Sequence, residues 1–92
     1  MSLHDAVLKA NADEVRRILS KGTGQINELD AQGHTALHWA VFGGYEEIVR
    51  LLLESGADPN VFAKNGVTPL WNARDFGLMD IVDLLQAFGA KD

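Results

Sequence analysis

Residues 33–40 read GHTALHWA, and residues 66–73 read GVTPLWNA. The two phrases stand 33 positions apart in a chain of 92 residues. Laid over itself at that shift, the chain places Gly33 on Gly66, Thr35 on Thr68, Leu37 on Leu70 and Ala40 on Ala73. The agreement continues through Gly44 on Gly77, Ile48 and Val49 on Ile81 and Val82, and Leu51 and Leu52 on Leu84 and Leu85. It closes with Gly56 and Ala57 on Gly89 and Ala90. Apart from the threonine, every shared residue is apolar or glycine, the classes that fix packing and backbone shape. The start of the chain joins at a shift of 34, with Leu3, His4, Ala6 and Val7 on Leu37, His38, Ala40 and Val41. Val15, Arg16, Leu19 and Gly22 then fall on Val49, Arg50, Leu53 and Gly56. The extra position lies between Gly22 and Asn27, in a loop, where an insertion costs little. Three units follow, about 1–29, 30–62 and 63–92, in one domain. A period of this length marks a solenoid, in which no unit buries its apolar face alone and stacking supplies the core.

Composition narrows the function classes. A domain this small buries only about 60–65% of its unfolded surface, so its stability is marginal. There is no cysteine, hence neither disulfide nor thiolate metal site, and a reducing, cytoplasmic setting is expected. No apolar run approaches the roughly 18 residues of a membrane span. The opening MSLHDAVLKANADEV lacks the basic-then-apolar layout of a secretory signal. A formal charge of −5 disfavours nucleic acid and anionic membrane as partners.

Within the second unit, DAQG (30–33) reads as a turn. Thr35 is an N-cap for the short helix ALHWAVF, which Gly43 and Gly44 end. YEEIVRLLLESG is the next helix. Glu46 and Glu47 at its start complement the dipole, and Gly56 stops it. ADPNVFAKNG crosses back as a loop or short hairpin. The third unit repeats the plan: Thr68 caps, Pro69 takes the first helical position, Gly77 breaks, and LMDIVDLLQAFG runs to the stop at Gly89. The first unit is expected to hold helices at about 2–10 and 12–21, with Asn11 and Ala12 replacing the double glycine and a different inter-helix turn as the result. Helices of two or three turns are unstable alone. Ala6, Ala40 and Ala73 permit close approach, and leucines of the second helices fill the space behind.

These residues resemble a family. GHTALHWAVFGGYEEIVRLLLESGADPN is similar to the ankyrin repeat, whose motif runs G-x-T-P-L-H-x-A, a glycine, a V-x-L-L run and G-A-x-x-N. GVTPLWNARDFGLMDIVDLLQAFGA resembles a looser copy, and LHDAVLKANADEVRRILSKG an amino-terminal capping unit. The resemblance implies an all-α solenoid of stacked antiparallel helix pairs with β-hairpin-like loops. It also implies a scaffold-like, non-catalytic module that binds a partner protein through its concave face and loop tips, with no cofactor. Carried onto this chain, the partner-binding positions are Gln32, His34, Trp39, Phe42, Lys64, Asn65, Val67, Asp75 and Phe76. Ala31, Leu8, Lys9, Gly43 and Asn72 share those surfaces. Trp39, Phe42 and Phe76 form either an exposed aromatic patch, the usual anchor of protein interfaces, or a set of rings leaning on the neighbouring inner helix. The structural set is His4, Thr35, His38, Gly44, Gly56, Thr68, Pro69, Gly77 and Gly89, with His38 and His4 bonding the backbone of the adjoining loop. In some members the asparagine matched by Asn60, and by Asn27 at the other shift, is hydroxylated; here a bond to its own backbone suffices.

The third unit departs from the pattern. Trp71 stands where a histidine is expected, and an indole donates one bond but accepts none. Arg74 replaces Val41 and Val7, and a guanidinium cannot be buried unpaired. Either it lies on the outer side of a terminal unit, beside Asp75, Asp80 or Asp83, or it serves an interface. Leu78, Met79, Leu84 and Phe88 leave apolar atoms near that end, so an alternative role is oligomerisation through the C-terminal unit. Catalytic constellations fail. There is no H-E-x-x-H, phosphate loop or dinucleotide fingerprint, Ser2, Ser20 and Ser55 lack an evident relay, and His4, His34 and His38 do not make a convincing zinc set. Stacking itself gives the first prediction: Leu52→Ala should cost about 2–5 kcal/mol, most of a small domain's margin, as read by denaturant unfolding.

Overall fold

Every helix end in this chain is built from a side chain or a backbone turn that the sequence provides nearby. The computed structural model describes residues 1–91; Asp92, the last position of the third unit, lies outside the described residues. The described residues form six helices: α1 (Leu3–Leu8), α2 (Ala12–Lys21), α3 (Ala36–Gly43), α4 (Glu46–Glu54), α5 (Pro69–Asp75) and α6 (Met79–Ala87). Ser2, Asn11, Thr35 and Thr68 each accept a backbone N–H three residues on, capping α1, α2, α3 and α5. Pro69 opens α5 at a position whose N–H has no intrahelical partner anyway.

The helices form three consecutive pairs. Alpha-1, α3 and α5 lie side by side as an inner row, and α2, α4 and α6 as an outer row. Leu37, Leu52, Leu70 and Leu85, with Val7, Val15, Val41 and Val49, are fully buried between the rows and between successive pairs. Ala6, Ala40 and Ala73 are equally inaccessible. A methyl group there lets neighbouring inner helices approach closely. The connecting segments 30–34 and 63–67 are tight turns. Each carries one hairpin-like bond, from Asp30 N–H to the His34 carbonyl (2.9 Å) and from Ala63 N–H to the Val67 carbonyl (2.8 Å).

Two expectations are corrected. Leu84 is core, only 8% exposed, and does not contribute to the open end. The inter-helix turn of the first pair, expected to differ, does not. Asn11 N–H reaches the Ala6 carbonyl and Ala10 N–H the Val7 carbonyl, just as Tyr45 and Gly44 close α3. This is the same two-bond helix stop in both pairs. It requires a left-handed residue, and Ala10 supplies it at φ 55° where Gly44 stands at φ 70° and Gly77 at φ 72°. The reason is that the turn geometry, fixed by packing of the pair, overrides the preference of alanine.

A left-handed alanine costs about 1–2 kcal/mol, while a glycine there loses about 0.4–1 kcal/mol through the unfolded chain. Ala10→Gly is therefore expected to stabilise by up to about 1 kcal/mol, a melting temperature higher by several degrees. Calorimetry of the two proteins checks this.

Candidate protein-interaction surface

Asp30 opens the first turn, and its carboxylate organises everything next to it. Oδ1 accepts the N–H of Gln32 (3.0 Å) and of His34 (3.0 Å). Oδ2 accepts the indole Nε1–H of Trp39 at 2.6 Å. Burial alone would push the Asp30 pKa up, but these hydrogen bonds outweigh it and hold the carboxyl below its ordinary value. The ring of Trp39 is thus tethered to the turn that precedes its own helix.

From Trp39 an aromatic chain runs across the inner row. His34 and Trp39 meet edge to face at 5.0 Å, His34 and Phe42 at 5.0 Å, and Trp39 and Phe42 at 5.3 Å. Phe42 then reaches Phe76 of α5 at 6.0 Å. Such offset pairs are favourable beyond their area burial. Trp39 and Phe42 are partly covered by these contacts, and Phe76 is 49% exposed. The three rings therefore divide: two lean on neighbours, one projects. His34 is also part of the packed group, with its Nδ1 buried and without a hydrogen-bond partner among the described residues.

The second turn sits directly on the first. Lys64 N–H donates to the Gly33 carbonyl at 2.8 Å, and a side chain on Gly33 would collide with that of Lys64. Asn65 Oδ1 accepts the Val67 N–H at 3.2 Å. Gln32, Lys64 and Asn65 are exposed at the turn tips, as is Asp75 on α5, while Val67 is partly covered. Leu8 and Lys9 are exposed on α1. Asn72 is not a surface residue: at 7% exposure it is buried. It occupies the position of Trp39, and its short amide does not reach past the neighbouring side chains as an indole does.

Histidines join the pairs. His38 Nε2 donates to the Val67 carbonyl at 2.8 Å, and Nδ1 accepts the Thr35 N–H at 3.3 Å while the Thr35 hydroxyl lies 2.7 Å away. A carbonyl only accepts, so the proton sits on Nε2 and the ring is neutral. His4 Nε2 lies 3.1 Å from the Glu28 carbonyl and 3.2 Å from that of His34, and it donates to both. Asparagines make the matching tie at the far side, to the next loop and not, as expected, to their own backbone. Asn27 accepts the Asp58 N–H (2.8 Å), and Asn60 accepts the Lys91 N–H (2.8 Å) and donates to the Gly89 carbonyl (3.1 Å). Among the described residues there is no group of three or more His, Asp or Glu side chains able to hold a metal ion, and no helix long and apolar enough to cross a membrane.

The third pair holds one exposed ring that sequence reading missed, Phe62, beside Trp71, which it singled out. Phe62 is 63% exposed and Trp71 57%. With Asn60, Val67 and Lys91 they line an open groove of about 580 Å³. Arg74 is exposed on the third pair, at the position where Val7 and Val41 are covered by the next pair. Met79 and Phe88 are exposed nearer the ends of α6, and Leu78 is partly covered. The signal for Phe62 was available: it matches Leu29, itself exposed.

Burial lowers the His38 pKa, helped by the neighbouring His34 (ring centroids 5.9 Å apart) and opposed by the bond to Val67. Below about pH 6.5 the unfolded imidazole takes up a proton that the folded one resists. Stability is expected to fall as pH drops below that value, because the folded ring is held below its ordinary pKa. In His38→Gln, less stable throughout, that segment of the curve should flatten. Thermal melts from about pH 5 to 8 measure it.

Comparison with known proteins places these features. The sequence pattern of the family described as "Ankyrin repeats (3 copies)" matches residues 2–63. The chain is 41% identical over 64 residues to human "DNA-binding protein RFXANK", covering 70% of this chain and 25% of that protein. It is 46% identical over 68 residues to mouse "2-5A-dependent ribonuclease", covering 74% of this chain and 9% of that protein. The chain thus spans a quarter or less of the length of these relatives. An ankyrin repeat domain from Acinetobacter baumannii superimposes with a TM-score of 0.91 at 38% identity, over 97% of this chain and 47% of that one. The fold is an all-α ankyrin solenoid; such repeats generally serve as protein–protein interaction modules and are typically non-catalytic. With its tethered turns, histidine ties and matching sequence, the chain belongs to the ankyrin repeat family.

Proposed function

We propose that this chain captures a partner protein, without catalysis, through the inner row of helices and the two turn tips. The single observation behind this reading is the anchored aromatic chain from His34 to Phe76, which ends in a half-exposed ring. Trp39 is held by Asp30 and Phe42 by its neighbours. The projecting Phe76 is therefore presented with little freedom left to lose, which favours binding. Around it, Gln32, Lys64, Asn65 and Asp75 supply an exposed polar rim, the usual surround of an aromatic anchor. His34 and Val67 serve mainly by holding the rim in place. The reading treats residues 1–29, 30–62 and 63–92 as three units of one domain.

The roles of the rings separate in experiment. Phe76→Ala should weaken partner capture from a cell extract at least about tenfold, the scale of a binding hot spot, while the melting temperature stays within about 2 °C. Trp39→Ala should lower the melting temperature clearly, since it removes a partly covered ring and leaves Asp30 short of a donor. An unchanged set of captured proteins with Phe76→Ala would overturn the assignment.

A further inference from the structure

The 63–67 turn carries a pair of residues found nowhere else in the chain. Of the asparagines at 11, 27, 60, 65 and 72, only Asn65 is followed by glycine. The asparagine side chain is chemically labile: the backbone nitrogen of the next residue can attack its amide carbon and close a five-membered imide. A Cβ on that next residue hinders the approach, and glycine has none. Gln32 and Gly33, the matching pair of the first turn, would have to close a six-membered ring, which forms far more slowly. Asn65 stands exposed at the turn tip. Gln32 is exposed as well, although Lys64 covers Gly33. Exposure of the tip therefore does not depend on what lies beyond the third pair.

Two hydrogen bonds act on Asn65 and Gly66 in opposite senses. Asn65 Oδ1 accepts the Val67 N–H at 3.2 Å, which polarises the amide carbonyl and favours the oxyanion formed on attack. The Gly66 N–H donates to the Ala63 carbonyl at 2.8 Å, which retains the proton that must leave before the nitrogen can attack. The second bond decides, because a hydrogen-bonded amide gives up its proton only when its segment opens. Opening is opposed by the ties of the turn to the second pair, Lys64 N–H to the Gly33 carbonyl and His38 Nε2 to the Val67 carbonyl.

We propose that Asn65 is a site of spontaneous deamidation whose rate is set by local opening of the 63–67 turn, with His38 as the latch. The Gly66 nitrogen bonds to Asn65 Cγ, the bond from Cγ to the side-chain nitrogen breaks, and the Gly66 proton passes through solvent to the departing group, which leaves as ammonia. Water then opens the imide at either carbonyl, giving aspartate or isoaspartate. Both products place a new carboxylate beside Lys64. Isoaspartate also lengthens the turn backbone by one carbon, which disturbs the register of the Ala63 to Val67 bond. The reaction is independent of partner capture through Phe76.

The test incubates the 92-residue chain at mildly alkaline pH, with and without urea, and follows the amide-to-acid conversion at each asparagine by peptide mass spectrometry. In urea, Asn65 should convert well ahead of the other asparagines. In the folded protein it should convert more slowly than in urea by at least about tenfold. That slowing should match the protection of the Gly66 amide against hydrogen exchange and fall short of the protection of the Leu52 amide, which reports unfolding of the core; this comparison needs no variant. His38→Ala, which removes the latch, should speed conversion in the folded protein at least about fivefold, the scale of one lost buried hydrogen bond. Leu52→Ala, which weakens the core away from the turn, should leave it nearly unchanged. Conversion of Asn65 in urea no faster than at the other asparagines would overturn the assignment of the site. No slowing on folding, slowing equal to the protection of Leu52, or equal acceleration by Leu52→Ala would overturn the local gate.

Discussion

A helix of six to ten residues has no stability of its own in water: nucleation consumes most of what a few hydrogen bonds return. All six helices here are of that kind, so none exists apart from its neighbours. The constraint explains where the apolar residues go. Leu37 and Leu52, or Leu70 and Leu85, bury a pair's inner flank, while Val7 and Val41 bury the flank turned to the next pair. Removal of any one pair would expose the flank of another. Surface ion pairs do little against this. Arg16 bridges Asp13 and Glu47, and Arg17 pairs with Glu14, but all three pairs lie in solvent to a large degree or within one turn of a helix, where such pairs contribute little.

Burial sets how far apart the pairs lie; directional bonds set their register. Each junction is tied on one side by a histidine reaching a loop carbonyl and on the other by an asparagine reaching a loop amide. An unpaired buried donor or acceptor costs about 1–3 kcal/mol, so a slipped register is penalised at both ends. This is also why His38 must be neutral. Its Nδ1 accepts from the cap of its own helix while Nε2 donates across the junction. A second proton on Nδ1 would break the first of these bonds inside a site with almost no water.

Much of this was readable in the residues, because it depends on spacing. The period placed the pairs. Threonine, proline and glycine marked the ends of α3 and α5, and the alternation of leucine and valine marked their flanks. What stayed hidden depends on contacts between distant or differently sized side chains. Asp30 looked like an ordinary turn residue, and nothing in DAQG shows that its second oxygen holds Trp39 nine positions on. Asn72 inherited a surface role from Trp39 by alignment, yet a short amide and an indole at one position end at different depths. Ala10 broke the glycine rule because the shape of the helix stop is imposed by the packed pair. Leu84 was placed at the open end by its number in the chain, whereas its side chain turns inward.

The change from histidine to tryptophan at position 71 shows how a local substitution alters two levels of structure. In α3, His38 and Thr35 satisfy each other reciprocally: the threonine oxygen takes the His38 N–H and the imidazole takes the Thr35 N–H. An indole has no acceptor, so α5 keeps only the first half, Trp71 N–H to the Thr68 oxygen at 3.3 Å. The helix start is weaker by one bond. Pro69 offsets this, since its fixed φ is already helical and it brings no N–H in need of a partner. Freed from the cap, the ring of Trp71 offers no acceptor to its own backbone and lies largely exposed along the groove. The same replacement that loosens the start of α5 thus gives the end groove its wall.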